Sequence, residues 1–230
     1  MNITSDGIMY QLSPAESYYV VIGIEPNIAP NRLAAMKTVQ IPESIKGLPV
    51  RGIKAEAFKA ANWLEEIHLP SSIDSIGYQA FAQCQNLVTF VWEGDCNKNV
   101  ELNSLVFLNC KALKTVHIFS RLNTGQKDFC KCEGLTLFNC PYINVISTDY
   151  FYGCSSLNRV SFIDCQCLTD NSFRYSGVRR VSFFQKAPKL LSGTVENWIQ
   201  NGIRISCESS NPLTELIYYG VIVEVRKGKS

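Results

Sequence analysis

The chain has 230 residues, of which 46% are hydrophobic and 18% charged, the composition of a packed globular protein rather than a disordered one. Against 22 basic side chains stand 20 acidic ones, leaving +2. That balance argues against nucleic acid as the partner, which needs a concentrated basic stripe, and no run approaches the ~20 apolar residues of a membrane-spanning helix.

In chain order, the opening residues 1–7 carry neither the basic nor the apolar region of a signal peptide, which favours the cytoplasm or a processed start. Ile8 to Leu12 and Tyr19 to Ile24 are apolar runs joined by Ser13 to Ser17, and predict a β-hairpin cap. Val39-Gln40-Ile41-Pro42 then repeats 28 residues later as Ile67-His68-Leu69-Pro70. From here the chain is periodic. Phenylalanine marks the period at Phe58, Phe81, Phe107, Phe129, Phe151 and Phe173, with gaps of 23, 26, 22, 22 and 22.

Three residues past the anchor stand Cys84, Cys110, Cys132 and Cys154, with Ala61 and Ser176 in the outer copies. Six past it stand Leu64, Leu87, Leu113, Leu135 and Leu157. Nine and eleven past it come apolar pairs, from Ile67 with Leu69 through Phe138 with Cys140 to Val160 with Phe162. The next copy drops one residue and places Val181 and Phe183 there. A further step of 22 assigns Ile203 and Ile205 to that pair, with Val195 and Trp198 at the anchor and cysteine positions. The extra residues of the 26-residue copy fall at the turn Gly94 to Asn99. Beyond the repeats, Asn211-Pro212 predicts a helix start, Gly220 its stop, and Val221 to Val225 a closing strand.

Each apolar pair alternates with polar residues, so it puts two side chains on the inner face of a short strand. One copy cannot bury that face alone, whereas stacked copies share a core. The expected architecture is a right-handed, β-rich solenoid of about eight coils, of α+β class. A cap with a hairpin spans residues 1–38, the repeats span 39–206, and a C-terminal cap and tail span 207–230.

Ala57-Phe58 and Ala80-Phe81, followed by the spaced Cys, Leu, Ile and Leu-Pro of the repeat, resemble the BspA-like branch of the leucine-rich repeat proteins. The segment Val39 to Val50 with Gly52-Ile53, and Gly7 to Tyr10 before it, is similar to the opening coil of such proteins. The resemblance covers roughly residues 7 to 206. It implies a bacterial protein, exposed at the cell surface or secreted, that serves adhesion or protein binding. It brings no shared catalytic residues and no cofactor.

Of the 10 cysteines, the four at the repeat position should stack in the core as small hydrophobes. In-register stacking leaves their β-carbons near the ~4.8 Å strand spacing rather than the ~3.8 Å of a disulfide, which favours free thiols. Cys130-Lys131-Cys132 and Cys165-Gln166-Cys167 lack the C-x-x-C spacing of a zinc ribbon, so no metal site is expected. Cys96 and Cys207 are the candidate reactive thiols. His68 and His117 both occupy outward strand positions two strands apart, a separation that disfavours a shared metal or catalytic role.

Function is therefore expected on the outward strand face. One predicted row runs through Glu66, Thr89, Thr115, Arg159 and Arg180, and a central row through His68, His117, Ser161 and Arg204. Glu93, Phe119 and Phe184 stand at the strand exits. Acidic groups gather toward the N-terminal end and arginines toward the C-terminal end, with exposed aromatics among them, a mixture enriched at interfaces. These residues predict a non-enzymatic protein–protein interaction module. The resemblance makes its partner a host matrix or cell-surface protein and its place extracellular or at the cell surface. An intracellular scaffold is one alternative. A carbohydrate-binding solenoid is another, but it would need a flat row of outward aromatics.

Overall fold

The repeat's alternation becomes strand, and its anchor becomes turn. The computed structural model describes residues 2–169, 171–184, 188–190, 198–199, 202–208 and 222–226. It opens with β1 (Asn2–Ser5), β2 (Ile8–Leu12) and β3 (Tyr19–Ile24), an antiparallel meander whose last two strands are the expected hairpin. Between β1 and β2, Asp6 and Gly7 both take positive φ, as a two-residue hairpin turn of mirror-image type requires. A six-residue helix α1 (Pro30–Ala35) follows, with proline in its first turn and no buried side chain. Then come β4 (Thr38–Gln40), β5 (Ser44–Ile45) and β6 (Leu48–Ile53).

From β7 onward the elements come in pairs, one of each pair per row. They are β7 (Glu66–Leu69) with β8 (Ser75–Ile76), β9 (Thr89–Trp92) with β10 (Asn99–Leu102), and β11 (Thr115–Ile118) with β12 (Arg121–Thr124). Next are β13 (Leu137–Asn139) with β14 (Val145–Ile146), β15 (Arg159–Phe162) with β16 (Cys167–Leu168), and β17 (Arg180–Phe183) with β18 (Lys189–Leu190). β19 (Arg204–Glu208) and β20 (Ile222–Arg226) end the chain of strands.

The first row is the expected one. β4, β7, β9, β11 and β13 form one parallel sheet, and β15, β17, β19 and β20 another. The closing strand is present as β20, parallel to β19. The predicted helix at Asn211 to Gly220 lies outside the described residues, as do Val195 and the tail after Arg226.

A second row was not expected. β6, β8, β10 and β12 form parallel pairs, and β3 of the cap joins their edge, so the hairpin closes the second row rather than the first. β14, β16 and β18 continue that row as a separate short sheet. The solenoid therefore completes six Phe-anchored turns, fewer than the eight coils expected, while the strand ladder runs on past the last anchor.

Packing follows the period. The anchor rings stack face to face from coil to coil: Phe58 to Phe81 at 5.3 Å, Phe81 to Phe107 at 5.4 Å, Phe107 to Phe129 at 5.0 Å. Phe129 is thus the fourth anchor, and Trp198 closes the stack with its ring 6.3 Å from Phe173. Rings from the strand pairs meet the stack edge-on, as Phe90 does with Phe107 at 4.7 Å.

Around every anchor the chain turns through two residues of positive φ, two before and two after the ring. Gln79 and Gln83 flank Phe81, Leu105 and Asn109 flank Phe107, and Lys127 and Lys131 flank Phe129. The N–H groups of the turn donate to the next coil, as Phe81 N does to Val106 O and Gln83 N to Leu108 O. Backbone strain in the turn is offset by a third ladder of hydrogen bonds. Glycine is required where neighbouring coils touch: a β-carbon on Gly77 would sit 2.4 Å from Ala55 N, and one on Gly125 2.3 Å from Ser104 N.

Candidate functional site: the outward strand face

In the first-row strands from β4 to β19, inward residues are buried and the ones between them face out, as in β7, where Ile67 and Leu69 are buried and Glu66 and His68 are not. Pairing aligns these outward residues. Thr38, Glu66, Thr89, Thr115 and Leu137 stand in register, and beside them Gln40, His68, Val91, His117 and Asn139. In the C-terminal sheet Arg159 pairs with Arg180, and Ser161 with Ser182.

The register of the last coil differs from the expected one. Arg180 pairs with Arg204 and Val181 with Ile205, so the inward pair of β19 is Ile205 and Cys207, not Ile203 and Ile205. Arg204 leaves the central row and joins Arg159 and Arg180, while Ser206 takes the central position. The result is three arginines side by side, then three serines.

The two halves of the face differ in chemistry. Toward the N-terminus, His68 Nε2 lies 2.7 Å from Glu66 Oε1, so these outward groups satisfy each other. His117 Nδ1 is 3.2 Å from Asn139 Nδ2, and its ring stacks on Phe119 at 6.1 Å. Val91 separates the two histidines in the register. Phe119 and Leu137 are exposed, Thr89 and Thr115 half-buried. Glu93 stands exposed at the rim of a shallow depression with Gln40, His68 and Pro70.

Toward the C-terminus, Arg159, Arg180, Arg204, Ser161, Ser182, Ser206 and Phe184 line a groove of about 380 Å³. Arg32, Arg51 and Arg121 are ion-paired, and Arg174 and Arg179 are hydrogen-bonded. Arg159 and Arg180 are exposed and have neither kind of partner among the described residues. Larger clefts of about 420 and 510 Å³ lie at the N-terminal cap. Their charged lining is sparse: Glu16 and Lys54 in one, Asp6 in the other.

The interior holds the titratable groups with the largest shifts. All 10 cysteines are free. Each of the four cysteines at the repeat position points its thiol at the carbonyl of the preceding anchor: Cys84 Sγ to Phe58 O at 3.0 Å, Cys110 to Phe81 at 3.0 Å, Cys132 to Phe107 at 3.1 Å and Cys154 to Phe129 at 3.0 Å. These are donors as well as small hydrophobes. Burial pushes the thiols of Cys110, Cys132, Cys140 and Cys154 well above the ordinary range, and Cys165 up to about 12. Cys207 is fully buried at an inward strand position, so it is not the reactive thiol expected there, whereas Cys96 remains partly exposed. Both Cys130 and Cys132 are buried. Among the described residues, no three of His, Cys, Asp and Glu gather in a way that could hold a metal ion.

Stacked parallel strands, a ring ladder behind them and an open outward face define a repeat solenoid of the leucine-rich type. More particularly, the chain belongs to the BspA type leucine-rich repeat family, whose profile matches six copies over residues 31–158 and 101–206. No curated protein matched it in sequence. Among solved structures it is similar to a leucine-rich repeat protein of T. pallidum, with a TM-score of 0.62 and 20% identity over 89% of this chain and 98% of that one. It is also similar to a leucine-rich cell surface protein of Faecalibacterium prausnitzii A2-165, with a TM-score of 0.52 and 13% identity over 90% of this chain and 54% of that one. A leucine-rich repeat protein of Bacteroides ovatus ATCC 8483 has a TM-score of 0.50 and 15% identity, over 97% and 76% respectively. At these identities the likeness is one of fold.

Proposed function

We propose that this chain is a non-enzymatic protein-interaction module that binds its partner through the outward face of its first strand row, in a bacterial adhesion or host-interaction role at the cell surface. The observation that carries the reading is the register itself. It brings Glu66, His68, Thr89, Thr115 and His117 onto one half of the face and Arg159, Ser161, Arg180 and Arg204 onto the other, with Glu93, Phe119 and Phe184 along the exits. A solenoid core is scaffold, so recognition falls to such open faces. The surface role draws support from the similar cell surface protein of Faecalibacterium prausnitzii.

The test uses two face variants in capture from host-matrix and cell extracts. Thr89→Arg/Thr115→Arg obstructs the N-terminal half, and Arg159→Glu/Arg180→Glu reverses the C-terminal half. A protein captured by the wild type and lost from a face variant that stays folded is the expected result. Captures unchanged in both variants would overturn the face as the site.

A further inference from the structure

The arginine row breaks a rule that the rest of the sheet obeys. Like charges directly opposite one another on neighbouring strands destabilise a sheet, yet Arg159, Arg180 and Arg204 stand in register on three adjacent strands. The same row carries threonine at Thr89 and Thr115. Arg159 and Arg180 have no acidic partner among the described residues to relieve the repulsion. Beside them the serines 161, 182 and 206 add hydroxyl donors, and the row ends at β20, where Ile222 takes the position next to Arg204. At Arg159 and Arg180 the rule is broken without an acidic partner among the described residues, and such breaks are expected at functional or strained sites.

We infer that the groove over Arg159, Arg180 and Arg204 is a seat for an acidic helix of the partner protein. This rests on the interaction-face reading and names the chemistry of its C-terminal half. Arginine forks bind carboxylates through two parallel hydrogen bonds, and serine hydroxyls complete their shells. Spacing selects the helix. Guanidinium stems one strand apart repeat at about 4.8 Å, whereas outward side chains of an extended peptide repeat at roughly 6.6–6.8 Å. Carboxylates three or four residues apart on a helix stand about 5–6 Å from one another, close enough for long arginine side chains to follow. Phe184 at the groove's edge offers one apolar contact, too little for a row of stacked sugars or bases.

The experiment titrates the full chain with a synthetic alanine-rich helical peptide carrying glutamate at i, i+4 and i+7. Its glutamine twin, inorganic sulfate and a sulfated polysaccharide serve as further probes. Backbone amide shifts of Ser161, Ser182 and Ser206 report the site. The glutamate peptide is expected to move them, to weaken as salt rises, and to bind at least tenfold better than the glutamine twin. Arg180→Thr, which gives the row its usual residue, is expected to lose the same factor while its melting temperature holds or rises. Equal binding of the two peptides, or unchanged binding to Arg180→Thr, overturns the inference. Tighter binding of the polysaccharide overturns it in favour of a sulfated glycan. Suppose no probe shifts the serines but a captured protein is still lost from Thr89→Arg/Thr115→Arg. The acidic helix then fails while the interaction face stands.

Discussion

Why cysteine recurs at the third residue past the anchor is a question of size and of one weak donor. The anchor carbonyls Phe58 O, Phe81 O, Phe107 O and Phe129 O each accept one backbone N–H, and the thiols of Cys84, Cys110, Cys132 and Cys154 add a second contact to them. Because burial raises Cys110, Cys132, Cys140 and Cys154, thiolate is scarce in the folded protein even in mild base. Brief alkylation of the native chain at pH 8, read by mass spectrometry, is expected to mark Cys96 and Cys167 first, both partly exposed. Label on Cys132 before unfolding would contradict the packing. A second residue works against the core. Asp128 is fully buried where other coils carry Ala80 or Val106, and burial pushes its carboxyl well above the usual carboxylate range, against the pull of backbone N–H groups. The folded state therefore holds its proton more tightly than the unfolded chain does. The contribution of Asp128 to stability is fully present below the ordinary carboxylate pKa of about 4 and is lost as pH rises toward its folded value. Asp128→Asn is expected to flatten that slope in urea titrations and to gain on the order of 1–3 kcal/mol at pH 7. Equal pH dependence in the two proteins would refute the assignment.

At the level of elements, the anchor turn sets the coil. Its two left-handed positions are filled by lysine, glutamine, asparagine and others, with glycine only at Gly153. Because a side-chain β-carbon is strained there, Lys131→Gly is expected to hold stability or raise it by about 0.5–1 kcal/mol, whereas Lys131→Val should cost about 1–3 kcal/mol. Thermal melts of the two variants decide it, and the opposite order would deny the turn this role. These turns illustrate what the sequence could disclose. The anchors, the core cysteines and the inward pairs were legible because burial repeats at a fixed spacing. The second strand row left a signal that was not used: Ile53, Ile76, Leu102, Ile146 and Leu168 each stand five before an anchor. Asp6-Gly7 likewise announces the hairpin that adds β1. Ile203, Ile205 and Cys207 were ambiguous for a different reason. An alternating strand slipped by two keeps every side chain on its proper face, and only the neighbouring strand decides. The arginine row depends on that decision, so the outward residues could be named from the sequence but not their final alignment.

For the whole molecule, four features converge between the coils anchored by Phe129 and Phe151. First-row pairing stops there, with β13 and β15 in different sheets, and second-row strand pairing shrinks to the isolated bridge from Leu122 to Ile143, beside side-chain hydrogen bonds such as Thr124 Oγ1 to Val145 O. Backbone contact across the seam persists just past β13, where Pro141 O accepts from Ile163 N at 2.8 Å. Among the phenylalanine anchors the ring spacing is widest at this point, 6.0 Å with the rings tilted by 23°. Asp128 Oδ2 and Tyr150 Oη, both buried, lack hydrogen-bond partners here. A solenoid's stability is a sum of coil and interface terms, so the weakest interface should open first. Native-state hydrogen exchange is expected to find two blocks, one ending with β13 and one beginning with β15, the second opening below the global unfolding free energy. Tyr150→Phe removes the unpartnered hydroxyl and keeps the ring, so it should be neutral or stabilising and bring the two blocks closer together. Uniform protection across residues 115–183, unaltered by Tyr150→Phe, would mean that the turn hydrogen bonds from Phe129 N to Tyr150 O and from Lys131 N to Tyr152 O suffice to make the array one cooperative unit. The expected two blocks would instead let the arginine half of the face move relative to the histidine half, so that a partner spanning both must order the seam as it binds.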